Sequence, residues 1–372
     1  MSLSIQEVKT LKQQKEFVEL PFSIYKNNPY WVPPIKADEL KLMDKKHNPA
    51  MEFCDSKFWL AYRDGKVVGR LCGIINHKYN EKVGKKLGRF SRMEVFEDHE
   101  AFLGLMDTAV AWLKAEGMSQ IHGPLGYTNL DNQGLLIEGF DYLTSVASVY
   151  HMPYYQEYIN GYGFEKEIDW LEFRLKFAKD TVDRAIRGAE IVKKRYGIEV
   201  KKFKKVKEII PYMQDLFGVL NQAYERLPFV VPFNQEMINM YAKKYFKVIN
   251  PKYVCLAQKN GETIAFWIAV PSMSKALQKA NGKLFPFGFY HIMKAMKKPD
   301  VLDFFLAGVK PEFESQGAIV ILYTEIQNQM LKDGIEVMET TGNLENNHNV
   351  IANWKNFDHI QHKRRRCYIM DL

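Results

Sequence analysis

The sequence predicts an α/β protein of two similar halves, each a mixed, mostly antiparallel sheet flanked by helices. Three observations predict it. The chain has 372 residues, more than one ordinary core needs and suited to two domains of about 150–200 residues each. One hairpin signature occurs twice. Behind each hairpin the same order of elements returns, strand alternating with helix, which makes a mixed sheet with helices packed on it.

The repeat is read directly. Leu60-Ala61-Tyr62-Arg63-Asp64-Gly65-Lys66-Val67-Val68-Gly69 matches Leu256-Ala257-Gln258-Lys259-Asn260-Gly261-Glu262-Thr263-Ile264-Ala265. Asp-Gly and Asn-Gly between apolar runs mark tight hairpins, because a type I′ turn needs positive φ at both central residues. The predicted hairpins span about Lys57 to Ile75 and Lys252 to Val270.

In the first half a strand-like run, Arg89 to Phe96, leads into a helix from His99 to Glu116. Gly117 caps that helix, and a short strand follows at Gln120 to Gly123. In the second half the strand Val301 to Val309 leads into a helix from Ser315 to Lys332, then the strand Ile335 to Thr340. Ile319, Leu322, Ile326 and Met330 recur at helical spacing. The first half closes with a helix at Tyr154 to Tyr162 and a strand at Ile168 to Phe177. The second closes with a helix at Asn346 to Asn356 and a strand at Ile360 to Met370. These elements divide the chain into 1–178 and 198–372, joined by a linker helix over 179–197. The second half alone carries a long insertion, Pro271 to Lys298, rich in Phe, Met and Lys, of the kind used as a lid or contact surface.

Composition narrows the function classes. Hydrophobic residues are 47% and charged residues 26%, enough for a core and a solvated surface. There is no signal-like apolar leader and no run near the ~18 apolar residues of a membrane span. Four scattered cysteines, Cys54, Cys72, Cys255 and Cys367, form no CxxC pair. They point to a reducing cytoplasm. A net charge of +8 suits an anionic partner, whether a nucleotide cofactor, an acidic carrier protein or RNA, and equally suits plain solubility. Gly-x-Ser-x-Gly, Walker and Rossmann motifs are absent from the sequence. His348, His359 and His362 lack metal-ligand spacing, so no metal is expected. The basic runs Lys201–Lys205 and Lys363–Arg366 read as solvated faces more readily than as a nucleic-acid surface.

Two segments carry a resemblance. Val309-Lys310-Pro311-Glu312-Phe313 resembles the strand end and turn into the pyrophosphate loop of the GNAT (Gcn5-related N-acetyltransferase) superfamily, usually Val-x-Pro-x-Tyr. Glu345-Asn346-Asn347, followed after a helix by Lys363-Arg364-Arg365-Arg366-Cys367-Tyr368-Ile369, resembles the ending of bacterial tandem-GNAT proteins. The resemblance covers nearly the whole chain, once per half.

It implies an acyl-CoA-dependent N-acyltransferase moving an acetyl or longer acyl group to an amine on a small molecule or peptide. A loop entering a helix N-terminus offers free N–H groups and a positive dipole end to a pyrophosphate. By the resemblance that loop is 314–319, with Val309, Ser315, Gln316, Gly317, Ala318 and Asn347 around the donor. Glu314 stands where the family has Arg or Gln, and Ile319 where it has a small residue. Glu339 and Glu345 are the candidate bases. Ala352 occupies the place of the family's acid Tyr, which leaves Tyr323 or Tyr368 for that role. The equivalent turn of the first half, Val95 to Phe102, has three carboxylates and no Gly before Gly104. That half is expected to bind no CoA and to wall the acceptor site.

Other readings stay open. The donor can be an acyl carrier protein or an aminoacyl-tRNA, or the chain can be a non-catalytic binding protein of the same fold. Tyr150 to Tyr162, with five tyrosines, suits an acceptor pocket or a helix packed on the sheet. Leu284 to Tyr290 suits a cover for an acyl chain or a dimer contact.

Overall fold

The computed structural model describes residues 2–246, 248–355 and 357–372. Asn356, the sequence-predicted end of the last helix, lies outside the described residues. In the first half β1 (Leu3–Glu7), α1 (Leu11–Ile24) and α2 (Lys36–Leu42) precede the hairpin β2 (Cys54–Arg63) and β3 (Lys66–Asn76). Then come α3 (His77–Val83), β4 (Leu87–Val95), α4 (His99–Ala115), β5 (Gln120–Gly123), β6 (Leu135–Glu138), α5 (Tyr154–Tyr162) and β7 (Glu165–Lys176). The linker helix is α6 (Lys179–Tyr196). The second half repeats the order with β8 (Glu199–Lys202), α7 (Met213–Tyr224), α8 (Gln235–Tyr245) and the hairpin β9 (Val254–Lys259) and β10 (Glu262–Pro271). Its insertion folds into α9 (Ser274–Ala280) and α10 (Gly288–Lys297). After it follow β11 (Val301–Val309), α11 (Ala318–Lys332), β12 (Val337–Thr340), β13 (Asn343–Leu344), α12 (His348–Trp354) and β14 (Asp358–Asp371).

Both hairpin turns form as the sequence predicts. Asp64 (φ 49°) and Asn260 (φ 51°) are left-handed, each followed by a left-handed Gly. The helix expected from Ser315 starts later. Pro311–Gln316 is a 3₁₀ turn, and Gly317 (φ 72°) admits the chain to α11. Only Gly takes that φ without strain.

The strands form one continuous sheet in the order β1-β2-β3-β4-β5-β14-β7-β12-β11-β10-β9-β8. Linear order suggests that each half completes its own sheet. Instead the closing strands are exchanged. β14 lies against β5 of the first half, and β7 lies against β12 of the second. The two strands pair with each other antiparallel at the centre. The small strands follow the same symmetry, β6 pairing with β14 and β13 with β7.

Three large cores, with a smaller one around Tyr25 and Tyr150, hold the layers among the described residues. α4 and α5 pack on the first half's sheet through Phe102, Leu105, Tyr155 and Ile159. α6 and α11 pack on the second through Val182, Ile321, Leu322 and Ile326. The third core spans both halves, joining Phe17 of α1 and Ile74 of β3 to Phe217, Leu220 and Leu256 of the second half. Among the described residues no helix is long and apolar enough to cross a membrane.

Candidate active site

Each half contains a pair of parallel strands that begin together and then part. β11 and β12 are paired from Val301–Val337 to Phe304–Thr340, after which β12 ends and β11 runs on to Val309. β4 and β5 are paired from Leu87–Gln120 to Arg89–His122, and β4 runs on to Val95. The sheet therefore has two wedges, each leading from an apex of paired strands to a helix N-terminus.

The first wedge is closed by the protein itself. Leu125 N–H donates to the Phe90 carbonyl (2.9 Å). The Tyr155 hydroxyl accepts from Val95 N–H (2.8 Å), and the Tyr154 hydroxyl donates to the Val95 carbonyl (2.6 Å). Its helix end is filled too. Asp98 caps α4, accepting from Ala101 N–H at 3.0 Å, and its carboxylate takes Arg63 Nε and Nη2 at 2.7 and 2.8 Å. An anion-binding helix end is thus occupied by a side-chain carboxylate.

The second wedge is open. Among the described residues its flank, 305–309, carries one side-chain hydrogen bond, from the Tyr224 hydroxyl to the Ala307 carbonyl (3.1 Å). At its mouth α11 has no side-chain cap, so first-turn N–H groups are left for an anion. The two departures from the family pattern find places here. Glu314 is exposed on the 3₁₀ turn, and Ile319, in the first turn of α11, is half-buried against the core. A Cβ on Gly317 would meet Val192 of α6 at 3.1 Å. Gln316 is held by Lys259 Nζ at 2.9 Å, Ser315 is exposed, and Ala318 is buried.

A buried group of charges sits at the apex. Asp303 and Glu339 are register partners on β11 and β12. Asp303 is 1% exposed, and neither carboxylate oxygen makes a well-formed hydrogen bond. Burial, reinforced by the Glu339 charge, pushes Asp303 up to about 8. Burial raises Glu339 as well, although Arg174 Nε stands 3.6 Å from its carboxylate. Next along the sheet, Lys363 and Glu172 pair across β14 and β7. Lys363 donates to the Leu143 carbonyl at 2.5 Å, and burial lowers its ammonium below the ordinary Lys value. Burial alone would raise Glu172, but Arg365 (2.6 Å) and Lys363 hold it low. His362 packs against Tyr142, and burial followed by Lys363 pushes it down to about 4. Paired carboxyl groups with pKa values driven toward neutrality are what proton transfer at neutral pH requires.

Among the sequence-predicted residues, Glu339, Val309, Ser315, Gln316, Gly317 and Ala318 lie on this wedge or its mouth. Tyr323 does not. It is buried among Phe177, Trp267, Trp354 and Phe357. Glu345 ties strands together, accepting from Asp169 N–H (3.1 Å) and Lys166 (2.7 Å), and Asn347 caps α12 through Val350 N–H (3.3 Å). Tyr368 is buried in the first half's core. The basic run Lys363–Arg366 is not a solvated face. Lys363 and Arg365 are buried, and Arg364 and Arg366 pair with Asp169 at 3.0 and 2.8 Å. Sequence reading missed Asp303. A lone acid inside the apolar run Val301–Leu306 was its signal, since such a strand face is normally buried.

In the first wedge His122 occupies the place of Glu339. It brings its ring within reach of Glu167 and Cys367, three ligand atoms within 4.8 Å of one another. The buried Arg89 guanidinium beside them already supplies a positive charge. All four cysteines are free and buried.

This architecture is the GNAT fold in tandem. A solved tandem GNAT protein from the clavulanic acid biosynthesis pathway superposes with a TM-score of 0.59 at 11% identity, over 100% of this chain and 98% of that one. A probable N-acyltransferase from Enterococcus faecalis V583 superposes with a TM-score of 0.53 at 8% identity, over 100% and 73%. By sequence the chain is similar to Protein YghO of Escherichia coli (strain K12), 26% identical over 361 residues, 95% of this chain and 92% of that protein. It is also similar to the bacterial ceramide synthase of Caulobacter vibrioides, 25% identical over 327 residues, 84% and 82%. No family model matches.

Proposed function

We propose that the protein is a cytoplasmic N-acyltransferase that binds acyl-CoA in the second wedge and acylates a primary amine. One observation carries this: of two equivalent wedges, the first is filled by Tyr155 and Asp98, while the second is open and ends on an uncapped helix. The acyl-CoA pyrophosphate sits on the α11 N-terminus, and its thioester reaches the apex at Asp303 and Glu339. Glu339 takes a proton from the acceptor amine. The nitrogen attacks the thioester carbonyl, the carbon–sulfur bond breaks, and Asp303, neutral at pH 7, protonates the leaving thiolate. The two carboxyl groups then re-equilibrate their proton. Asp303 takes the acid role for which the sequence suggested Tyr323.

The ceramide synthase relative points to a long-chain amino alcohol as acceptor and a long acyl donor. An apolar cavity of about 40 Å³ adjoins the wedge at Phe305 and Leu306, under α7 and α8, and suits the start of an acyl chain. Calorimetric titration with acetyl-CoA and palmitoyl-CoA tests the donor site, and mass spectrometry of a reaction with a long-chain amino alcohol tests the product. Micromolar binding with amide formation is expected. Absence of binding to either CoA ester would leave an acyl carrier protein or a binding role.

A further inference from the structure

We propose that the insertion between β10 and β11 is a docking surface for an anionic lipid bilayer. Among the exposed large apolar side chains of the protein, four crowd into six residues: Phe285 (77% exposed), Phe287 (72%), Phe289 (53%) and Tyr290 (64%). A concentration of this kind on a soluble surface marks a contact. Its surroundings identify the contact. From Ser272 to Pro299 there are six lysines, at 275, 279, 283, 294, 297 and 298, and no Asp or Glu. All six are exposed, and none pairs with an acid among the described residues. The net charge of the whole chain is +8, so this short segment holds most of the excess. Tyr290, Lys294 and Lys297 stand on one face of α10 at i, i+4 and i+7.

Aromatic side chains ringed by lysine match the interface of a bilayer, where rings enter the headgroup layer and ammonium groups meet lipid phosphates. A second copy of the chain is a poorer occupant. A symmetric contact through the aromatics would set the six lysines of each copy against those of the other. The base of the insertion is fixed. Gln278 donates to the Pro29 and Trp31 carbonyls (2.8 and 3.0 Å), and Lys36 N–H donates to the Gly282 carbonyl (3.0 Å). The insertion is thus anchored on the first half just before its aromatic cluster. The surface stands whether or not the chain transfers acyl groups.

Co-sedimentation of the full chain with vesicles of phosphatidylcholine alone, or mixed with phosphatidylglycerol, tests the proposal. Binding is expected to the mixed vesicles, to weaken at high salt, and to fall about tenfold or more in F285S/F287S/F289S. K294E/K297E/K298E should lose the preference for phosphatidylglycerol. Both variants change exposed residues, and thermal melting checks that they fold. Failure to bind either vesicle overturns the proposal, as does equal binding by the serine variant. A dimer in solution that the serine variant disrupts, without vesicle binding, assigns the patch to self-association and also overturns it. Turnover of a short-chain donor in solution reads the active site separately from this surface.

Discussion

Asp303 and Glu339 face each other in register across the parallel strand pair β11–β12, at the closed end of a wedge whose open end is the bare N-terminus of α11. Their pKa values rise because both are buried and the Glu339 charge opposes ionisation of Asp303. Most of what can be tested follows from this pair and the helix end it faces.

Stability should carry the imprint of Asp303. Its folded value is about 8, against about 3.9 for an unfolded Asp. Between those values the folded chain binds the extra proton. This group's contribution to stability therefore falls as pH rises from about 4 to about 8 and is flat beyond. Asp303→Asn removes that slope. Urea midpoints at pH 6 and pH 8 should draw apart less in the variant than in the parent, and parallel slopes would place the titration elsewhere.

Glu339→Gln keeps shape and removes the base. Turnover should drop by about 10²-fold or more while the affinity for acyl-CoA holds. Single-turnover kinetics beside calorimetry separate the two. An unchanged rate across the pH range would remove Glu339 from the chemistry.

Gly317→Val meets two obstacles, the left-handed φ of 72° and Val192 at 3.1 Å. The backbone term alone costs about 1–2 kcal/mol. The altered loop should lose donor binding in calorimetry with the far-UV spectrum unchanged.

Asp98→Ala probes the opposite wedge. Losing the cap and the Arg63 pair should cost about 1 kcal/mol in urea unfolding, with no change in acyl-CoA affinity. A shift in that affinity would mean that the first half also holds donor.

Arg365→Met takes from the Glu172 carboxylate the cation it pairs with and leaves only Lys363 and the Ser148 hydroxyl beside it, in a place where the two side chains are 4% and 1% exposed. A loss of about 3–5 kcal/mol in denaturant unfolding is expected.

Much of the fold was legible because its signals are local. Asp64-Gly65 and Asn260-Gly261 encode their turns in two residues, and the α11 face encodes itself every three or four. The exchange of β7 and β14 was not legible, because each strand alternates equally well in either sheet and pairing depends on partners far along the chain. The same gap hid the buried charges. Lys363 and Arg365 looked like members of a solvated basic run until Glu172, nearly two hundred residues earlier, gave them a reason to be inside. Tyr323 was singled out by type, and only packing shows that its ring is enclosed by Trp354 and Phe357.

The central exchange also sets an order of events in synthesis. β5 waits for β14, which emerges far later than β5, while β7 emerges with no β12 to receive it. The nascent first half must carry two unmatched strand edges, open to wrong partners, until β12 and β14 of the second half have been made. Truncating the gene before residue 358 would thus strip the opposite half of its seam, and splitting it at the linker would yield two fragments that find their missing strands only in each other.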